Sequence, residues 1–314
     1  MNKPNLLITG GLGNLGSWIV EEAVKDFNVT VLSKSFKEVI IDGSYELILA
    51  DLSHGKQLED KLKDFKFQYV IHAGSANDTN LEGYSQFSYE VNSFGTRNLL
   101  NALNLENVKH FIYLSTFHVY GLSEGFINEE TKTNPKNDYA MSHLFAEYFI
   151  SMGLQDLEYS IVRLTNSYGC PKDFNSTKWY LILNDLSKSA FYKNEIILNS
   201  NGKAVRDFVW MGDVCSVLIQ LLKLNPMNET YNLSRGKTLS VREVANEVKK
   251  AYKEYFGISI PVSYKNNEVN NADQSLNVCS KKIKSIMNVK YQDMFVEEAI
   301  KIFKLLESKN LKIL

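Results

Sequence analysis

The chain is short of several things, and each shortage excludes something. Three cysteines stand in 314 residues (Cys170, Cys215 and Cys279), widely spaced and with no CxxC pair. That rules out a disulfide framework and a zinc ribbon, favours a reducing, cytoplasmic setting, and leaves no metal site to expect. Net charge is almost absent: 35 basic residues face 36 acidic ones, giving −1. No basic field therefore points to nucleic acid. An apolar fraction of 44% argues against disorder. No apolar run approaches the ~18–20 residues that span a bilayer. The short apolar run at 6–8 stops at glycines, unlike a signal peptide. No proline- or glycine-rich tract marks a linker. Arginine is scarce too: Arg97, Arg163, Arg206, Arg235 and Arg242 are the only five. Where Lys is the default cation, each Arg becomes a candidate for a fixed bidentate contact.

What is present begins with alternation. Short apolar strands are expected at 6–9, 29–32, 46–50, 69–73 and 111–115, with helices at 15–25, 55–64 and 90–103 between them. A further helix at 139–151 and a strand at 159–164 follow. Continuous apolar strands alternating with amphipathic helices imply a parallel sheet covered on both faces. After Gly169 the regularity weakens into helices near 181–191, 213–224, 241–255 and 296–306. The expected fold is α/β: a Rossmann-type doubly wound parallel sheet with a smaller C-terminal α/β lobe. Residues 1–168, with a return segment at about 205–235, form the first unit. Residues 169–204 and 236–314 form the second.

The strongest local signal is Thr9-Gly10-Gly11-Leu12-Gly13-Asn14-Leu15-Gly16, between the first strand and the first helix. Its glycines permit a tight turn, close backbone approach to a pyrophosphate, and close helix–strand packing. The helix N-terminus offers free N–H groups to the phosphates. The end of the second strand reads Ser33-Lys34-Ser35, where an acidic residue would select NAD. Ser33 and Lys34 suit the 2′-phosphate of NADP, but Ser33 also suits a free ribose. Asp51-Leu52 after the third strand is positioned for adenine, with a helix N-cap as the rival role for Asp51.

Three motifs in order carry a resemblance: the glycine turn, Leu114-Ser115-Thr116-Phe117-His118-Val119-Tyr120-Gly121, and Tyr139-Ala140-Met141-Ser142-His143. With Asn92 in Val91-Asn92-x-x-Gly95-Thr96, and with Arg163-Leu164-Thr165-Asn166-Ser167-Tyr168-Gly169 and Arg206-Asp207-Phe208-Val209, nearly the whole chain resembles the extended short-chain dehydrogenase/reductases. The branch is that of sugar-nucleotide epimerases and dehydratases. The resemblance implies a cofactor site of Gly10, Gly13, Asn14, Leu15, Gly16, Ser33, Lys34, Asp51, Leu52, Ala73, Asn92, Tyr139 and His143. The cofactor is NAD, with NADP the alternative. It implies a sugar-nucleotide site, GDP- or UDP-linked, of Ser75, Thr116, Asn166, Lys178, Arg206, Asp273 and Gln274. Asn166 and Arg206 would hold the diphosphate, and Asp273 or Gln274 the nucleotide ribose. Arg163 is expected to tie the two lobes together. Family members pair helices matching 90–103 and 139–151 between subunits, so a homodimer or higher homo-oligomer is expected.

The resemblance makes Tyr139 the acid/base and Thr116 the hydroxyl that steadies the substrate oxygen, with Ser115 the other candidate. A Tyr titrates near 10, too high for a base at neutral pH. In the family a Lys four residues on lowers that value and holds the nicotinamide ribose. Here the residue is His143, on the same helix face as Tyr139. Three outcomes stay open: a working His143 with modest turnover or a raised pKa, a weak sugar-nucleotide-binding pseudoenzyme, or another cation standing in. Tyr168-x-x-x-Lys172 repeats the spacing but contains Gly169 and Pro171, so it is a decoy.

Family dehydratases carry an Asp-Glu pair after the Thr, and 3,5-epimerases a Cys–His pair. This chain has Phe117-His118. What remains is redox at one carbon, by a C4-epimerase or a 4-dehydrogenase; the chain resembles most the 4-dehydrogenases that oxidise C4 of an NDP-sugar, of the GDP-heptose 4-dehydrogenase type, in bacterial surface-polysaccharide synthesis. A UDP-hexose 4-epimerase with retained NAD is the rival.

Overall fold

The computed structural model describes residues 3–76, 85–173, 175–224, 228–265 and 275–311. The strands are β1 (Asn5–Thr9), β2 (Asn28–Ser33), β3 (Glu46–Leu49), β4 (Tyr69–His72), β5 (His110–Thr116), β6 (Gly125–Ile127), β7 (Tyr159–Leu164), β8 (Asn166–Tyr168), β9 (Ile196–Leu198), β10 (Val205–Trp210), β11 (Glu229–Leu233), β12 (Thr238–Ser240), β13 (Val262–Tyr264) and β14 (Leu276–Val278). The helices are α1 (Gly16–Ala23), α2 (Gly55–Leu62), α3 (Gln86–Ser88), α4 (Gly95–Ala102), α5 (Asp138–Gly153), α6 (Ile182–Lys193), α7 (Met211–Lys223), α8 (Val241–Phe256), α9 (Lys281–Ile286) and α10 (Phe295–Leu311).

Seven strands form one sheet in the order β11-β7-β5-β4-β1-β2-β3. Every pairing in it is parallel. All seven residues of β5 are buried, as a central strand covered on both faces requires. One apolar core joins the sheet to α1 and α7 through Ile8, Ile19, Val31 and Leu218. The opposite face packs on α2, α4 and α5 through Leu7, Leu58, Leu99 and Ile150. A third core, with Leu186, Val248 and Phe303, joins α6, α8 and α10. It lies against the smaller sheet β12-β10-β8. The chain returns to the main sheet as α7 and the edge strand β11.

Local chemistry sets the elements that matter for the site. The Asn137 side chain accepts from the Ala140 N–H at 2.8 Å, capping α5 two residues before Tyr139. Asp138 then accepts from the Tyr89 hydroxyl and the Ser85 N–H, each at 2.8 Å. The helix expected at 90–103 starts earlier: α3 runs through a π-helical turn, Tyr89–Phe94, into α4. Asn92 sits in that turn, an irregularity that apolar spacing does not reveal.

The candidate active site

Strand order reverses between β1 and β4, and parallel sheets bind ligands at such a point. There the loop after β1 meets the loop after β4. Gly10 has φ +67°, and a Cβ on it would lie 2.6 Å from Gly74 Cα. A Cβ on Gly16 would lie 2.0 Å from the Gly10 carbonyl oxygen. Only glycine fits either place. The Gly74 N–H donates to Thr9 Oγ1 at 3.0 Å, which in turn sits 2.6 Å from His72 Nδ1.

A cleft of about 740 Å³ opens above this turn. Its wall includes Gly10, Gly13, Asn14, Leu15, Gly16, Ser33, Lys34, Asp51, Leu52, Ala73, Ser75, Thr116, Tyr139, His143, Asn166 and Lys178, so the fold brings most of the expected residues together. Asn92 is different. It is 1% exposed and outside the lining. Its amide accepts from the Ala76 N–H at 2.7 Å and donates to Ser142 Oγ at 3.0 Å, tying the β4 loop to α5. Arg206 is also outside the lining, and its guanidinium donates to the Val205 carbonyl at 2.8 Å. Asp273 and Gln274 lie outside the described residues.

At the end of β2 the Ser33 hydroxyl donates to the Ser35 carbonyl at 2.9 Å. Lys34 pairs with Asp51 at 2.9 Å. Burial alone would raise the Asp51 carboxyl, but Lys34 and Ser53 hold it below its ordinary value. Asp51 therefore does not cap α2, whose first flanking residue is His54.

The chemistry sits on β5 and α5. Thr116 shares the cleft wall with Tyr139 and tends to lower its phenol, yet burial outweighs that effect and pushes the Tyr139 phenol up to about 12. No cation among the described residues counters it. His143 is 2% exposed, with Nδ1 2.7 Å from the Tyr113 hydroxyl. Its ring stands edge-on to Tyr139, 4.6 Å between centroids. Burial, aided by His118, pushes His143 down to about 3. The expected raised pKa is thus corrected. A buried imidazole whose neighbour is a neutral phenol stays uncharged.

One helical turn on, Glu147 accepts from Arg163 Nε at 3.0 Å and Nη2 at 2.6 Å, and from Ser115 Oγ at 2.5 Å. Arg163 thus fastens α5 to the sheet rather than one lobe to the other. Ser115 also lines the cleft, but its hydroxyl is engaged by Glu147. The Tyr168 hydroxyl of the decoy accepts from the Met294 N–H at 3.0 Å, and Lys172 pairs with Glu21.

Several lining residues were given no site role by sequence reasoning, among them His118, Phe87 and Tyr180. His118 stands where a dehydratase carries a carboxylate, and its ring lies 6.3 Å from Tyr139. Burial at the cleft and then the Arg206 charge hold it below the ordinary imidazole value. Its place two residues after Thr116 was the signal that pointed to it. Phe87 and Tyr180 carry no motif and arrive only through folding.

The residues fit a dinucleotide. The turn has the shape of a phosphate cradle, and two lining residues hold buried polar atoms without partners, Asn14 Oδ1 and His143 Nε2. A ligand rich in hydroxyls would satisfy both.

Comparison with known proteins agrees with this geometry. Residues 6–234 match the model of the NAD dependent epimerase/dehydratase family. The chain belongs to that family and is an NAD-dependent enzyme of the sugar-nucleotide epimerase, dehydratase and dehydrogenase group. A human protein, dTDP-D-glucose 4,6-dehydratase, is 25% identical over 79% of this chain and 74% of its own length. The GDP-6-deoxy-D-talose 4-dehydrogenase of Aggregatibacter actinomycetemcomitans is 26% identical over 76% of this chain and 77% of its own. The fold is that of a Thermotoga maritima UDP-glucose 4-epimerase solved with UDP-glucose, with TM-score 0.81, 19% identity, and 97% and 99% of the two chains covered.

Proposed function

We propose that this enzyme oxidises C4 of a nucleotide-linked sugar, with NAD as cofactor, in the manner of a GDP-heptose 4-dehydrogenase of bacterial surface-polysaccharide synthesis. The observation that carries the reading is the joint presence of Thr116 and Tyr139 on the cleft wall, with Phe117-His118 following Thr116 where a dehydratase needs a carboxylate pair. A relative whose name is that of a GDP-sugar 4-dehydrogenase supports it. The glycine turn and Asn14 hold the dinucleotide, Ser33 meets the adenosine ribose, and Lys34 is neutralised by Asp51. That neutral pair favours NAD over NADP. Bound there, NAD supplies the hydride acceptor. Tyr139, in its phenolate form, takes the hydroxyl proton and becomes the neutral phenol, while Thr116 steadies the oxygen. Asn166 and Lys178 face the diphosphate. The subunit pairs with a second copy through the exposed Phe94, Phe145, Tyr148 and Met152 of the α4–α5 side.

The test is a panel of GDP- and UDP-sugars with NAD+, followed by absorbance at 340 nm and mass spectrometry. A keto sugar with matching NADH is the expected result. An epimer formed without NADH would replace the reading by a 4-epimerase with retained NAD. No turnover with any sugar, despite bound NAD+, would leave a sugar-nucleotide-binding pseudoenzyme.

A further inference from the structure

Two rungs join β5 to α5. Tyr113 and Ser115, two apart, point to one face of the strand, while His143 and Glu147, four apart, point to one face of the helix. Tyr113 meets His143 at 2.7 Å, and Ser115 meets Glu147 at 2.5 Å. The second rung carries a charge that Arg163 balances. The first has no charge to balance, and its phenol is 2% exposed.

The direction of that first bond is fixed by what surrounds it. A neutral imidazole carries one ring proton. Were it on Nδ1, the Tyr113 O–H would be buried with no acceptor among the described residues, a costly arrangement. With the phenol donating to Nδ1, the proton sits on Nε2. That nitrogen is buried, has no partner, and belongs to a residue lining the cleft.

We propose that Tyr113 is a positioning residue that locks His143 in the Nε2–H form. His143 then meets the bound dinucleotide as a neutral donor to a ribose hydroxyl. The ribose contact rests on the NAD reading above, whereas the locked tautomer does not. A family Lys supplies both a charge and a donor; this rung keeps the donor alone.

The tautomer is read by long-range 1H–15N correlation on the full chain labelled at histidine. The chain has five histidines, and the His143 signal is the one missing in His143→Gln. Wild type should show a protonated Nε2 and a bare Nδ1 near neutral pH, with the Nε2 resonance moving when NAD+ is added. Tyr113→Phe should give a mixture of tautomers. By titration, Tyr113→Phe should weaken NAD+ by the factor by which the Nε2–H fraction falls, about twofold for an even mixture. A Gln amide donates whatever residue 113 is, so in the His143→Gln background Tyr113→Phe should leave NAD+ affinity unchanged. An Nδ1–H tautomer in wild type overturns the proposal, as does an equal loss of affinity in both backgrounds. A wild-type chain that shows the Nε2–H form but binds no NAD+ overturns the dinucleotide reading and the ribose contact with it.

Discussion

Replacing His143 by Lys restores a fixed cation beside the base, and its effect follows from the geometry. Burial holds the Tyr139 phenol at about 12 with no cation opposing it. The two rings are 4.6 Å apart. A unit charge at ~5 Å and an effective dielectric of ~20 contributes ~3 kcal/mol, or about two pKa units. The sign is downward, since an ammonium favours the phenolate. The Tyr139 midpoint should therefore fall to about 10, and phenolate at a given lower pH should rise about a hundredfold. Tyrosine labelled with 13C at Cζ reports this directly, with the Tyr139 signal identified by its loss in Tyr139→Phe. The alkaline limb of NAD+ reduction, measured with whichever sugar nucleotide turns over, should move with it. His143→Gln is the neutral control and should leave the midpoint in place. An unmoved midpoint in His143→Lys, or an equal fall in the Gln variant, refutes the electrostatic account.

Gly16→Ala places a methyl 2.0 Å from the Gly10 carbonyl oxygen and should cost at least tenfold in NAD+ affinity by titration, since the turn must deform; binding as tight as wild type would refute the cradle. Arg163→Met leaves the Glu147 carboxylate buried without its cation, and should lower unfolding stability in urea by about 3–5 kcal/mol, with Glu147→Leu in the same chain recovering much of it. Acid should weaken the fold through buried neutral imidazoles: His72 and His143 are pushed down to about 3 and His110 to about 4. The unfolded chain binds those protons below about 6.5, so stability is full above that value and falls as pH drops, by about 2 kcal/mol per histidine at pH 5. Equal urea midpoints at pH 7 and pH 5 would contradict this.

The main sheet was legible because its strands are buried on both faces and read as unbroken apolar runs, as at Leu6-Leu7-Ile8 and Phe111-Ile112-Tyr113-Leu114. The glycine turn was legible because backbone geometry forbids any other residue at Gly10 and Gly16. The smaller lobe was blurred because β8, β9, β12 and β13 are three residues each, too short for a period to register. The extra residue of the π-helical turn likewise leaves no mark in apolar spacing. At the site, motif position placed Tyr139, Thr116 and the cradle correctly in one cleft, but could not say which polar groups face it. Asn92 and Arg206 belong to motifs, yet the Asn92 amide is bonded to Ala76 and Ser142 and Arg206 donates to the Val205 carbonyl outside the lining. Tyr113 went unread for the opposite reason. A tyrosine in a buried strand reads as core, and nothing local says that its hydroxyl ends on a histidine 30 residues away.

That contact changes the meaning of His143. Taken with Tyr139 alone, a histidine in place of lysine is a weakened cation, and the question is how much charge remains. Taken with Tyr113, it holds no charge to weaken, because its rung offers a phenol where the next rung offers Arg163. The same helix face thus carries one ionised and one neutral pair a single turn apart, and the partner on the strand side decides which. Restoring Lys at 143 alone sets an ammonium against the Tyr113 hydroxyl, which can accept a hydrogen bond from it but cannot neutralise it. The ammonium's field is then left to act on Tyr139, the condition on which the His143→Lys experiment depends.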